Sequence, residues 1–124
     1  MDQKISHSVR NDIIEFFDRF VEDLPGNGLY DFEWNPEKAR RNHQKHHVRF
    51  EQGATVFRDP RAAPLYDEEH SNTEDRWITL GISSDSGFLV VHHTFEEIDA
   101  GHIRIRIFSC RKANHGEIRQ YEKQ

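Results

Sequence analysis

The sequence contains one cysteine, four prolines and seven glycines among 124 residues, and no apolar run long enough to cross a membrane. The single thiol, Cys110, excludes an intramolecular disulfide and a cysteine-based zinc site. Because no signal-like segment is visible either, we expect a cytoplasmic protein without a membrane partner. Hydrophobic residues make up only 35% of the chain. The core must therefore be modest, built from phenylalanines and from strands of Ile, Val and Leu.

The length predicts one domain, residues 30–124, behind an N-terminal helical extension, residues 1–29. Apolar residues between Val9 and Leu24 recur at spacings of three and four, which predicts an amphipathic helix that Pro25 to Gly28 ends. The extension is acidic, with six acids against three bases. It could cover apolar surface of the domain, mediate oligomerisation, or mask a basic face.

Charge is distributed unevenly within a net total of -5. Residues 38–61 carry seven bases against two acids, residues 102–113 carry four bases and no acid, and residues 66–75 carry five acids and no base. A local anion site is compatible with this pattern, and so are ordinary solvated faces. Direct binding to DNA is not expected, because the chain is acidic overall and shows no helix-turn-helix pattern.

The pattern of apolar, turn and capping residues predicts the element order α-β-α-α-β-β-β-α. The fold class is α+β, in which a small antiparallel sheet, a three-stranded meander plus a short N-terminal strand, packs with helices. After the extension come a strand at 30–34, a helix from Asn35 to His47, a short helix at 51–57, a loop at 61–75, strands at 76–82, 88–95 and 102–108 with a turn at 96–101, and a helix from Asn114 to Tyr121.

Arginines and histidines supply the chemistry that the pattern can identify. Arg104 and Arg106 share one face of a strand, roughly 7 Å apart, which is close to the phosphate spacing of a nucleic-acid strand. They could equally pair with the acids of residues 66–75. His46 could act as a general acid or base, because imidazole titrates near neutral pH. We expect neither a metal site nor another cofactor, because no ligand pattern for zinc is present.

Several short motifs follow one another in a defined order along most of the chain. They are Phe32-Glu33-Trp34-Asn35-Pro36, Lys38, Asn42, Lys45-His46, Val48, Phe50, Ala54, Val56-Phe57, Asp59-Pro60, Glu74-x-Arg76, Gly81, Arg106-Ile107, Ser109, Arg111-x-Ala113, Glu117 and Tyr121. Their combination resembles the BrnT family, bacterial ribonuclease toxins of type II toxin–antitoxin systems, whose fold is similar to that of RelE-type toxins. His47 and Cys110 stand where the family usually has Gly and Ala.

The resemblance implies that residues 30–124 form a metal-independent endoribonuclease that inhibits translation and growth. It implies a catalytic set in which His46 or Glu74 is the general base or acid and Arg76, Arg106 and Arg111 hold phosphate. Lys45 and Arg104 would be secondary RNA contacts, and Trp77 or Tyr121 could stack a base. A simple ion pair between Glu74 and Arg76 is the alternative for those two residues.

The resemblance also implies partners. These are an RNA substrate and a cognate BrnA-like antitoxin that carries the DNA-binding portion, so that DNA is bound only indirectly. A higher-order toxin–antitoxin complex is among the assemblies that the resemblance allows. The alternative is a non-catalytic interaction module that acts only as an antitoxin-binding regulator.

Overall fold

A computed structural model describes residues 29–124, so the helix predicted between Val9 and Leu24 lies outside the described part. Within that part the fold is α+β, with one sheet and three α-helices. The strands are β1 (Leu29–Glu33), β2 (Ala63–Tyr66), β3 (Trp77–Ile82), β4 (Phe88–His93), β5 (Glu96–Asp99) and β6 (His102–Lys112). The helices are α1 (Pro36–His46), α2 (Phe50–Ala54) and α3 (His115–Glu122), with 3-10 turns at Thr55–Arg58 and Glu68–His70.

The helix ends form where the capping residues predict them. The Asn35 side chain accepts a hydrogen bond from the Lys38 backbone N–H at 3.0 Å, with Pro36 in the first position of α1. The helix ends because His47 adopts a left-handed conformation, with φ of 57°. At α3, Asn114 and Glu117 exchange hydrogen bonds of 2.8 and 2.9 Å in a capping box, at the start of the helix predicted from Asn114.

The sheet has the order β1-β6-β4-β3-β2, and β5 also pairs with β6. The predicted four-stranded antiparallel sheet is wrong in two respects, since residues 29–124 contain six strands and β1 runs parallel to β6. The predicted loop at 61–75 contains β2, an exposed edge strand in which Pro64 is tolerated. The predicted turn at 96–101 contains β5, in which Glu96 lies opposite Arg104 and Asp99 lies opposite His102.

The core lies between the sheet and the helices that follow β1. Phe32, Phe50, Leu89 and Ile105 are completely buried there, so phenylalanines and aliphatic strand residues build the core as predicted. Beyond the end of β1 one edge of β6 would be left open. The buried Asn42 of α1 occupies this edge, where its Oδ1 accepts from Cys110 N at 3.0 Å and its Nδ2 donates to Cys110 O at 2.8 Å.

Strand alternation divides the side chains between two faces of the sheet. The helix face carries the core residues and contacts α2. The other side, which we call the arginine face, presents Arg76, His92, Arg106, Ser109 and Arg111. Helix α3 packs at one end of it, where Tyr121 contacts Phe88. None of the helices within residues 29–124 has the length and apolar composition that spanning a bilayer requires.

Candidate active site

Two arginines of the arginine face share one carboxylate. Arg106 Nη2 donates to Glu74 Oε1, and Arg76 Nη2 donates to the same oxygen at 3.4 Å. Glu74 precedes β3 and Arg106 lies on β6, so the ion pair joins the segment before β3 to a strand that is not a neighbour of β3 in the sheet. The Nε atoms of Arg76 and Arg106 are buried and find no acceptor among the described residues. Glu74 thus holds both guanidinium groups in place, while their Nε–H donors make no hydrogen bond within the described residues.

The aromatic ring of Phe108 packs against the same two guanidinium groups. Their Cζ atoms lie 4.1 Å (Arg76) and 4.9 Å (Arg106) from the ring centroid, and Lys38 Nζ of α1 lies 5.6 Å from it. A cation over an aromatic face is attracted by the ring quadrupole. Three cationic groups therefore surround one ring, which concentrates positive charge where β6 meets α1.

The third arginine, Arg111, is fixed by a fork of two hydrogen bonds. Its Nη1 and Nη2 donate to Glu117 Oε1 and Oε2 at 2.9 and 2.8 Å. Glu117 also accepts from the Asn114 backbone N–H, and these contacts hold its pKa below the ordinary value, the Arg111 bond contributing most. The start of α3 thereby sets the position of the Arg111 guanidinium.

His46 and His92 both lie within the electrostatic reach of Arg111. The pKa of His46, at the end of α1, is lowered by burial first and then by the charges of Lys45, Arg111 and His47. The pKa of His92 on β4 is also lowered, again by burial first and then by Arg111. Both rings therefore favour the neutral form at neutral pH, in which an imidazole can accept a proton.

A cavity of about 240 Å³ opens on the arginine face beside Arg76. It is lined by Asp67, His70, Arg76, His92, Phe108 and Ser109. The loop before β3 supplies the first two of these residues, and His70 Nδ1 lies 2.9 Å from Asp67 Oδ2. Histidine and arginine side chains around one concave site are the groups that proton transfer and phosphate binding require.

The described residues contain no group of three or more His, Cys, Asp or Glu side chains that could hold a metal ion.

A scan against protein-family models matches residues 34–117, or 84 of the 124 residues, to the ribonuclease toxin BrnT of type II toxin–antitoxin systems. The chain belongs to the BrnT family. A search of curated proteins found no match. The family is one of toxin ribonucleases, and membership implies an antitoxin partner and an RNA substrate.

Of the residues predicted to form the site of this BrnT-family chain, only Arg76 lines the cavity. Trp77 lies on the helix face, where it lines a separate apolar cavity of about 370 Å³. Arg104 lies directly opposite two acidic residues on neighbouring strands, Asp31 on β1 and Glu96 on β5. Lys45 is exposed on α1 beside His46.

Tyr121 is also separate from the cavity. It is 3% exposed, with Phe88 and Arg61 against its ring and its hydroxyl donating to Asp59 Oδ2 at 2.7 Å. Burial, together with the Asp59 hydrogen bond, raises the pKa of Tyr121 to about 12. A ring covered in this way presents no face to a base, so we leave Tyr121 out of the proposed RNA-binding set.

Four residues that line the cavity are absent from the predicted site: Asp67, His70, His92 and Phe108. The first two lie in residues 61–75, which the sequence pattern predicts to be a loop. The spacing of Asp67 and His70, three residues apart, was the available signal, since residues three apart in a helical turn can contact each other.

Proposed function

We propose that this chain is a metal-independent endoribonuclease that cleaves RNA and thereby inhibits translation and growth. The observation that supports this most is the grouping of Arg76, Arg106 and Arg111 on one sheet face, where Arg76 lines a cavity together with two histidines. Permanently charged guanidinium groups offer two donors to one phosphate, which lysines cannot do. Their grouping fits a polyanionic substrate better than an isolated ion pair would.

In the proposed reaction the arginines neutralise the phosphate that is cleaved. Glu74 and Glu117 hold the guanidinium groups before RNA arrives, so little reorganisation is needed when negative charge develops on the phosphorane. A phosphate that binds Arg76 or Arg106 competes with Glu74 for the guanidinium charge. The site therefore exchanges one anion for another, and its affinity should fall as salt concentration rises.

The test is RNA cleavage by the purified chain in the presence of EDTA. We expect cleavage of single-stranded RNA at a rate that EDTA does not change, with products that carry a 2′,3′-cyclic phosphate and a 5′-hydroxyl. Arg106→Ala should lower the rate by about 10²- to 10³-fold, the usual cost of removing one charge-stabilising donor. Arg119→Ala, which removes an exposed arginine of α3, is the matched control. Intact RNA with the unaltered chain would contradict the proposal.

The proposed partner is a BrnA-like antitoxin that supplies the DNA-binding portion, so that DNA is bound only through the complex. A fold similar to RelE-type toxins and a division at residue 29 between extension and toxin domain belong to the same proposal. The antitoxin should abolish cleavage when it is added in equimolar amount. Cleavage that continues in the saturated complex would contradict this assignment of the partner.

One observation favours a second function, a non-catalytic module that only binds the antitoxin. All three site arginines are already paired with carboxylates, as a purely structural network would be. The growth of cells that express the chain distinguishes the two functions. The ribonuclease should arrest growth and Arg106→Ala should relieve the arrest, whereas a binding module should leave growth and RNA unchanged in both cases.

A further inference from the structure

The cavity on the arginine face contains two histidines that reach it from different elements. His70 belongs to the 3-10 turn before β3 and His92 belongs to β4, and Ser109, which also lines the cavity, lies opposite His92 on β6. Arg76 lines the same cavity. From this geometry we propose that His92 and His70 are the general base and general acid of RNA cleavage, with Asp67 as the residue that positions His70. This inference rests on the proposed ribonuclease function and names its proton-transfer groups.

The Asp67 carboxylate determines which nitrogen of His70 can reach a substrate. Its two oxygens lie 2.9 and 3.1 Å from His70 Nδ1. Because a carboxylate can only accept, Nδ1 must carry a proton, and Nε2 is left for the substrate. The His70 side chain is 60% exposed and that of Asp67 only 10%. A mostly covered carboxylate behind an accessible imidazole is the arrangement that orients a histidine for proton transfer.

His92 has the surroundings that a base requires. It is half-buried on β4, and the charged and titratable groups around it are Arg111 on β6, Asp67 and His70 on the loop, and Glu117 on α3. Burial and Arg111 lower its pKa, so the ring is neutral at neutral pH. On His70, by contrast, the adjacent Asp67 carboxylate can offset the positive charge of an imidazolium. The two histidines thus have the different environments that an acid and a base need.

The reaction then balances without any further reagent. A ring nitrogen of His92 takes the proton of the ribose 2′-hydroxyl, the 2′-oxygen forms a bond to phosphorus, and the bond from phosphorus to the 5′-oxygen breaks. His70 Nε2 gives its proton to the leaving 5′-oxygen. The products are a 2′,3′-cyclic phosphate and a 5′-hydroxyl, with His92 now protonated and His70 neutral. Arg76 faces the same cavity and can neutralise the charge on the phosphorane.

The test compares His70→Ala, His92→Ala and Asp67→Asn with the unaltered chain on single-stranded RNA. Each histidine variant should lower kcat by about 10²- to 10⁴-fold, the usual contribution of a general acid or base. Added imidazole should restore part of the rate, because the cavity of about 240 Å³ remains next to the bound phosphate. Asp67→Asn should lower kcat with little change in KM. His43→Gln, an exposed position of α1, is the control.

The pH profile separates the two histidines. The unaltered chain should show a rate that rises as His92 loses its proton, below the ordinary histidine pKa of 6.5. His92→Gln should lose this acidic limb, whereas His70→Gln should lower the rate and keep the limb. Urea unfolding should show that both variants remain folded, with midpoints close to that of the parent.

The outcomes distinguish the inference from the function on which it rests. Intact RNA with the unaltered chain would overturn both. Cleavage by the unaltered chain together with full activity of His70→Ala or His92→Ala would overturn only the present assignment. Loss of activity in His46→Ala, with the two cavity histidines dispensable, would transfer the proton-transfer role to the end of α1.

Discussion

Buried His93 should make the stability of this protein strongly dependent on pH. Its ring is 1% exposed, its Nδ1 donates to Thr94 O at 2.7 Å, and its Nε2 accepts from the Thr79 hydroxyl at 2.7 Å. Because Thr94 O can only accept, Nδ1 must carry a proton. In the neutral ring, Nε2 then has the lone pair that accepts from the Thr79 hydroxyl. Burial is the main reason that the pKa of His93 is lowered from 6.5 to about 4.

The size of the effect follows from the two pKa values. In the unfolded chain the ring takes up a proton near pH 6.5, whereas in the folded chain it does so only near pH 4. Unfolding therefore binds a proton between these values, and stability falls as pH is lowered through this range. The difference of about 2.5 between the pKa values corresponds to about 3 kcal/mol in total, at about 1.4 kcal/mol for each pH unit.

The assay is urea unfolding of the parent and of His93→Gln at pH 7 and at pH 4.5. The parent should lose about 2 kcal/mol more of its unfolding free energy than the variant over this range, since Gln carries no titrating group. His43→Gln, which removes an exposed histidine, should follow the parent. If the parent and His93→Gln lose equal stability, His93 is not neutral in the fold and the reasoning is refuted.

Three further predictions concern the packing around Cys110. Asn42→Ala leaves the Cys110 N–H and C=O and the Val48 C=O without their partner, so urea unfolding should show a loss of about 3 kcal/mol, against almost none for exposed Gln44→Ala. Gly53→Ala places a Cβ 2.8 Å from Cys110 Sγ and should cost about 1 to 3 kcal/mol. Cys110→Ala should recover part of that cost, and a strictly additive double variant would contradict the clash. Burial raises the pKa of the Cys110 thiol to about 12, so mass spectrometry should detect alkylation by iodoacetamide at pH 8 only after unfolding.

Much of the local structure could be predicted because its causes are local. Asn35, Pro36 and the pair Asn114 and Glu117 act on backbone groups within three residues, so their caps are visible in the sequence. Ile105 and Ile107 alternate with arginines, which identified the buried side of β6. By contrast, the acidic β5 and the proline-containing β2 lack strand patterns, and their pairing depends on neighbours across the sheet.

The site was only partly predictable, for a similar reason. Glu74, Arg76, Arg106 and Arg111 were identified through short motifs, and the structure places all four on the arginine face. Their mutual contacts could not be derived, because Glu74 and Arg106 are 32 residues apart in the chain. Phe108 was overlooked, since an aromatic residue on a strand gives no sign of the cations that surround it.

By itself, the sequence determined the family, the helix caps, the alternation of β6 and the arginines that a phosphate would need. Only the tertiary structure decided that β1 runs parallel to β6 and that Asn42 completes the sheet edge beyond it. It also decided that Asp67 and His70 of a loop meet His92 of an inner strand in one cavity. Capping and alternation act over a few residues, whereas these contacts join segments that meet only when the whole sheet has formed.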